Sequence, residues 1–123
     1  MINKCKIGAI GEEYALKFLK QNNFKILDKN FRYKRLGEID IISWESDIIC
    51  FQEVKTRSSI EYGYPRESVN FKKQETIRKL AQIYINRHGL QDENIRFDVI
   101  EVYIEKKESH IFLKSINLIK NAF

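Results

Sequence analysis

Gly37-Glu38-Ile39-Asp40-Ile41-Ile42 and, after a short break, Ile48-Ile49-Cys50-Phe51-Gln52-Glu53-Val54-Lys55-Thr56-Arg57 decide the reading of this 123-residue chain. Both stretches are apolar strands that carry charge where a buried strand has little reason to. Taking an unpaired charge out of water is costly, so Asp40, Glu53 and Lys55 must be compensated by one another or by a metal. Successive side chains on a strand point to opposite faces. Glu53 and Lys55 therefore share one face while Val54 packs on the other, and Asp40 stands on the adjoining strand.

Working outward, Glu45-Ser46-Asp47 is a tight polar turn between two strands, Gly37 to Trp44 and Ile48 to Arg57. Phe24 to Tyr33 precedes them as a first strand. Ile7 to about Gln21 reads as a helix, with Ile7, Gly8, Gly11, Ala15, Phe18 and Leu19 near the helical period and Asn22-Asn23 ending it. Beyond the central strands, Tyr62-Gly63-Tyr64-Pro65 is a turn. A second helix runs from about Val69 to Arg87, buries Val69, Ile77, Leu80, Ala81 and Tyr84, and stops at His88-Gly89. Asn94 to Ile104 and His110 to Ile116 are two further strands. This order predicts an α/β fold, a mixed sheet with one helix on each side. The helical crossover predicts that the fourth strand lies parallel to the third.

Hard divalent cations such as magnesium favour carboxylate oxygens plus waters and take one or two protein carboxylates. Asp40 and Glu53 suit that role, and the Val54 carbonyl offers a third oxygen. Such an ion lowers the pKa of a water and neutralises charge on a phosphoryl oxygen, while Lys55 positions the attacking water or stabilises the transition state. The same spacing also fits a buried Glu53 to Lys55 salt bridge with Asp40 as a strand-end acid.

Helical geometry separates neighbouring charges. Glu13 stands four before Lys17 and seven before Lys20, on a solvated stripe, whereas Glu12 shares its face with Ala15, Leu16 and Leu19 and is the acid expected to point at the sheet. An acid simply favoured by the helix N-terminus reads the same way. On the second helix Lys73 precedes Ile77 and Leu80 and leans toward the core, either to contact a phosphate or as a snorkelling lysine. Lys72 runs toward water with Thr76 and Lys79. Gln74 and Arg57 are secondary candidates. Glu38 shares a strand face with Asp40 and so offers a further ligand, but following Gly37 at a strand mouth it is read as a solvated acid, and Arg96 with Asp98 as an internal ion pair.

With 43% hydrophobic residues, one Pro and five Gly, the composition is that of one globular domain. The longest apolar run is four residues, Ile48 to Phe51, so no transmembrane or secretory segment is expected and the cytoplasm is the expected compartment. Cys5 and Cys50 do not make a disulfide framework, and with two histidines a zinc cluster is not expected. The net charge of +5 permits a polyanionic partner. Arg32-Tyr33-Lys34-Arg35 forms a basic, aromatic-containing turn directly before Glu38 and Asp40, which puts phosphate affinity beside metal affinity in sequence. Arg32, Lys34, Arg35, Arg57 and Lys73 are the candidate nucleic-acid contacts.

At these residues the chain resembles the restriction-endonuclease-like PD-(D/E)xK superfamily and, within it, the YraN-like family of small bacterial proteins. The resemblance rests on Gly8-Ala9-Ile10-Gly11-Glu12 with Ala15, Asn30-Phe31-Arg32, Gly37-Glu38-Ile39-Asp40, Phe51 through Arg57, Lys73, and Arg96-Phe97-Asp98-Val99. It departs at Ile39, where the motif's name has Pro. It implies an αβββαβ core over a single domain, residues 1–123, and magnesium- or manganese-dependent phosphodiester hydrolysis. Asp40, Glu53 and Lys55 match the motif's acid, acid and lysine, and Glu12 matches its helix-one acid as a further catalytic and metal-binding residue. The expected activity is that of a nuclease acting on DNA, including branched or recombination intermediates, with a homodimer where both strands are cut. The alternatives are a catalytically silent nucleic-acid-binding accessory protein with the same fold, and an interaction domain whose acids are satisfied internally.

Overall fold

The computed structural model describes residues 4–58 and 69–123, so the turn read at Tyr62, Tyr64 and Pro65 and the Cys5 side chain lie outside what is described. Helix α1 spans Lys4–Gln21, followed by strands β1 (Phe24–Arg32), β2 (Glu38–Glu45) and β3 (Ile48–Ser58). Helix α2 (Phe71–His88) then leads to β4 (Asn94–Lys107) and β5 (His110–Ile119).

Local chemistry sets these boundaries. Asn22 donates its backbone N–H to Phe18 and Leu19 and its side-chain amide to the Phe18 carbonyl, and Asn23 turns left-handed at φ 67°. Asn tolerates that conformation better than most residues, so α1 stops there. Asn70 caps α2 by accepting a 2.8 Å bond from the Lys73 N–H, and Gly89, at φ 64°, closes it. Helix α2 therefore starts at Phe71, two residues later than the Val69 expected from periodicity, although Val69 is buried as expected.

The five strands lie in the order β1-β2-β3-β4-β5, with β3 and β4 parallel and all other neighbours antiparallel. That parallel pair requires a crossover connection, which α2 supplies. Strand β5 runs three residues beyond the expected Ile116, where Asn117, Leu118 and Ile119 pair with Glu101, Ile100 and Val99, and β4 runs three beyond the expected Ile104 because the hairpin continues as a polar ribbon with Lys107 opposite His110. Its charged residues hide the strand period.

One helix covers each face. Ala15, Leu16 and Leu19 of α1 pack with Ile41, Cys50, Ile100 and Val102, and Ile77, Leu80 and Tyr84 of α2 pack with Ile39, Ile42, Phe51 and Val99. Burial pushes the Cys50 thiol up to about 12, in keeping with a small apolar filler. Helix α1 approaches β3 so closely that a Cβ on Gly11 would lie 1.9 Å from the Thr56 hydroxyl. Only glycine allows that contact, which brings the α1 N-terminal half down beside the end of β3. Among the described residues no helix is long and apolar enough to cross a membrane.

Strand β2 changes face at Asp40. Ile39 packs on the α2 side and Ile41 on the α1 side, although residues two apart on a regular strand share a face. Pairing with β3 runs from Glu45 opposite Ile48 to Ile41 opposite Gln52 and goes no further. Beyond that point the Asp40 carboxylate reaches across and accepts the Val54 N–H at 2.8 Å.

Candidate functional site

The opening of β2 from β3 places four acids around one end of the sheet. Asp40 leaves β2, Glu53 projects from β3 toward α2, Glu12 comes from α1, and Glu38 stands at the mouth of β2. A groove of about 480 Å³ is lined by Gly8, Glu12, Asp40, Glu53, Lys55 and Lys73, among others. A second, of about 370 Å³ on the α2 side, shares Asp40, Glu53 and Lys73 and adds Glu38, Lys72 and Thr76.

Each acid has a different partner. Glu12 accepts from the Asn30 amide at 2.9 Å, Glu38 pairs with Arg32 at 3.1 Å, and Glu53 pairs with Lys73 at 2.5 Å. Asp40 has the neutral Val54 N–H. Burial, and then the Glu53 carboxylate, push the Asp40 carboxyl up to about 7, with Glu12 and Glu38 adding to the rise and the Val54 bond opposing it. Glu53 is 4% exposed, and its second oxygen, Oε2, is buried with no hydrogen-bond partner. A buried carboxylate oxygen without a donor beside a carboxyl that resists ionisation is an arrangement a hard cation would relieve. No three Asp, Glu, His or Cys side chains among the described residues converge to hold an ion by themselves. Asp40 and Glu53 are the pair that fits a magnesium or manganese ion completed by waters, with Glu12 held by Asn30 at the rim.

The lysines sort by element. Glu53 draws its cation from α2: its ion pair is with Lys73, so the intrastrand Glu53 to Lys55 bridge weighed from the sequence is replaced by one between elements. Partial burial depresses Lys73, but the bond to Glu53 outweighs it and its pKa is raised. Lys55 lines the same groove, and burial, followed by repulsion from Lys73, lowers its pKa. Arg57 lines that groove too, with Nη2 buried and unbonded. The geometric sorting of neighbours holds. Glu13, Lys17 and Lys20 are exposed and Glu12 is half-buried, while Lys73 alone of its pair meets Glu53.

The basic turn is only partly free. Arg32 is 72% exposed while paired with Glu38, so Glu38 is not the simply solvated acid expected; its side chain is 28% exposed and faces the site. Tyr33 packs on the α2-side core, with Lys34 and Arg87 over its ring at 5.3 and 5.0 Å. Lys34 and Arg35 are exposed. Asn30, which orients Glu12, was not singled out as a site residue. Its left-handed φ of 53° within β1 is a conformation Asn tolerates, and the other signal in the sequence is its place in the Asn30-Phe31-Arg32 block.

Arg96 and Asp98 lie on the other face and are structural, as expected. Arg96 meets Asp98 through two bonds of 2.7 and 3.0 Å and Glu45 at 2.7 Å, while Gln52 and the Asn121 N–H complete the Asp98 shell.

Comparison with known proteins gives a consistent result. The sequence profile of a group described as "Uncharacterised protein family UPF0102" matches residues 11–102. A UPF0102 protein of Acetivibrio thermocellus is 63% identical over 121 residues, covering 98% of this chain and 93% of the relative. One from Alkaliphilus oremlandii is 55% identical, covering 96% and 97%. One from Clostridioides difficile is 50% identical over the full length of both.

Proposed function

The chain belongs to the UPF0102 family, and on that premise we propose that it is a divalent-metal-dependent nuclease of the PD-(D/E)xK type, hydrolysing phosphodiester bonds in DNA. The observation that carries this reading is the Asp40 and Glu53 pair at the split between β2 and β3. One of its carboxyls is pushed up to about 7 and the other holds a buried oxygen with no donor. The αβββαβ order and the resemblance of Asp40, Glu53, Lys55 and Glu12 to the superfamily's motif support it.

In this reading Asp40 and Glu53 hold magnesium or manganese, which when bound activates water and neutralises phosphoryl charge. Lys55, on the Glu53 side of β3, orients the attacking water or meets charge developing on the phosphate. Its lowered pKa reflects an ammonium that is partly desolvated and so acts strongly on a nearby oxyanion. Glu12 acts from the rim, fixed by Asn30. Lys34, Arg35, Arg57, Lys72 and Lys73 supply phosphate contacts, which position a duplex without reading its sequence. Cutting both strands would require a two-fold homodimer. The cytoplasm is the compartment where such a substrate is met. A second reading, a nucleic-acid-binding protein without turnover, is favoured by one observation: Lys73 already answers one Glu53 oxygen.

The test is a cleavage panel of linear, single-stranded, flapped and four-way DNA with magnesium, manganese or chelator. Cleavage should need the ion and vanish in Asp40→Asn and Glu53→Gln. Lys55→Ala should lose turnover by about 100-fold or more while retaining the ion. If nothing is cut and no ion stabilises the protein, the nuclease reading fails.

A further inference from the structure

Lys73 stands in the first turn of α2, its backbone fixed by the Asn70 cap, and its ammonium lies 2.5 Å from Glu53 Oε1. The two partners are unlike. The Glu53 side chain is 5% exposed and fixed in the sheet, whereas that of Lys73 is 43% exposed on a flexible four-carbon stem. Glu53 therefore cannot leave the site, and Lys73 can. The other Glu53 oxygen is buried without a partner, on the groove it shares with Asp40.

We propose that Lys73 and a divalent cation compete for Glu53, and that a substrate phosphate takes up the displaced ammonium, so that the ion and the polyanion each tighten the binding of the other. This rests on the reading of Asp40 and Glu53 as the ion-binding pair. An ion held by those carboxylates would share their groove with the Lys73 ammonium, and like charges repel with little screening in a partly buried groove. The ammonium then swings toward solvent, where Lys72 and the N-terminal end of α2 also favour an anion. A phosphate oxygen held there replaces Glu53 as its partner. Each ligand removes an obstacle to the other, and coupling of this kind is reciprocal. Without such an exchange Lys73 would be a fixed counterion, and its removal would leave the gain from DNA as it is in wild type.

The experiment is calorimetric titration of Ca2+ at pH 8.5 into wild type, Lys73→Met, Lys73→Arg and Lys72→Met, each with and without a short duplex DNA. The folded state of each is checked by its thermal midpoint. Wild type should bind the ion about tenfold more tightly when DNA is present. Lys73→Met should bind it about tenfold more tightly than wild type without DNA, and the gain from DNA should shrink to less than about twofold. Lys73→Arg should keep the wild-type coupling. Lys72→Met should weaken DNA binding and leave ion binding without DNA unchanged. If Lys73→Met is folded and binds the ion no more tightly than wild type, the competition is refuted while the ion site stands. If Lys73→Met is unfolded, Lys73→Arg decides: absence of any DNA-dependent gain in the folded Arg variant and in wild type refutes the proposal. If no variant binds the ion and Asp40→Asn matches wild type, the ion site itself is wrong and the competition falls with it.

Discussion

Two aspartates, Asp98 fully buried on the α1 face and Asp40 half-buried at the split between β2 and β3, show how the same side chain is fully partnered in one place and left short of countercharge in another. Asp98 is fully buried, yet both its oxygens are occupied: Arg96 grips it twice, Gln52 and the Asn121 N–H add two more bonds, and Ser43 holds Gln52 in turn. The same guanidinium reaches Glu45, which Lys120 also pairs. Asp40 has one neutral donor and three acids raising its pKa. A buried acid with its own guanidinium needs nothing more, whereas one surrounded by carboxylates favours a proton or a cation. The difference lies in the supply of countercharge and not in depth, since Asp98 is the more deeply buried of the two.

The sharpest way to break this contrast is Arg96→Met, which leaves Asp98 and Glu45 without their shared cation. Removing one partner of a buried pair costs about 3–5 kcal/mol, and urea unfolding should show a loss of that order. At the other cluster the sign reverses. Asp40→Asn removes a charge from among acids, so without added metal it should raise stability by about 1 kcal/mol while abolishing ion-induced stabilisation. Loss of stability in Asp40→Asn would mean the carboxylate is a satisfied structural acid like Asp98.

The contrast can be sharpened by pH. The folded chain holds the Asp40 proton up to about 7, whereas the unfolded chain releases it near the ordinary value of 3.8. Between those values the folded state binds the extra proton. In chelator, the Asp40 contribution to stability is therefore fully present below about pH 4 and is lost as pH rises toward 7, by on the order of a few kcal/mol at most. Thermal unfolding across that range should show the loss in wild type and a flatter profile in Asp40→Asn. The smallest expected effect compares adjacent residues on α1. Glu12→Gln should lower the Asp40 titration point and give a partial cleavage defect, while Glu13→Gln, on the solvated stripe, should stay within about 0.5 kcal/mol and leave activity unchanged.

Most of the fold was legible because the apolar period and the turn residues agree: Asn22-Asn23, Glu45-Ser46-Asp47 and His88-Gly89 each fall where an element ends or turns. The parallel β3 and β4 pair followed from chain order and the geometry of a helical crossover. Less legible was whatever depends on contacts between distant elements. Lys73 was separable from Lys72 by helical phase, but its meeting with Glu53 depends on how α2 lies across the sheet. Asn30 finds Glu12 only because α1 descends onto Thr56 through Gly11. The face change at Asp40 interrupts strand alternation, the signal used to read β2.

The parallel pairing of β3 with β4 joins residues as far apart in sequence as Gln52 and Asp98, 46 positions, across the whole of α2. Such long-range closure is the slow part of folding. The four acids come from α1, β2 and β3, so their full mutual repulsion, and the burial that sharpens it, is felt only when those elements have docked. It is a strain of the finished molecule and absent from the barrier to reaching it. Relieving it with Asp40→Asn should therefore slow unfolding and leave the refolding rate nearly unchanged, visible as a shift of the unfolding limb alone in denaturant-jump kinetics.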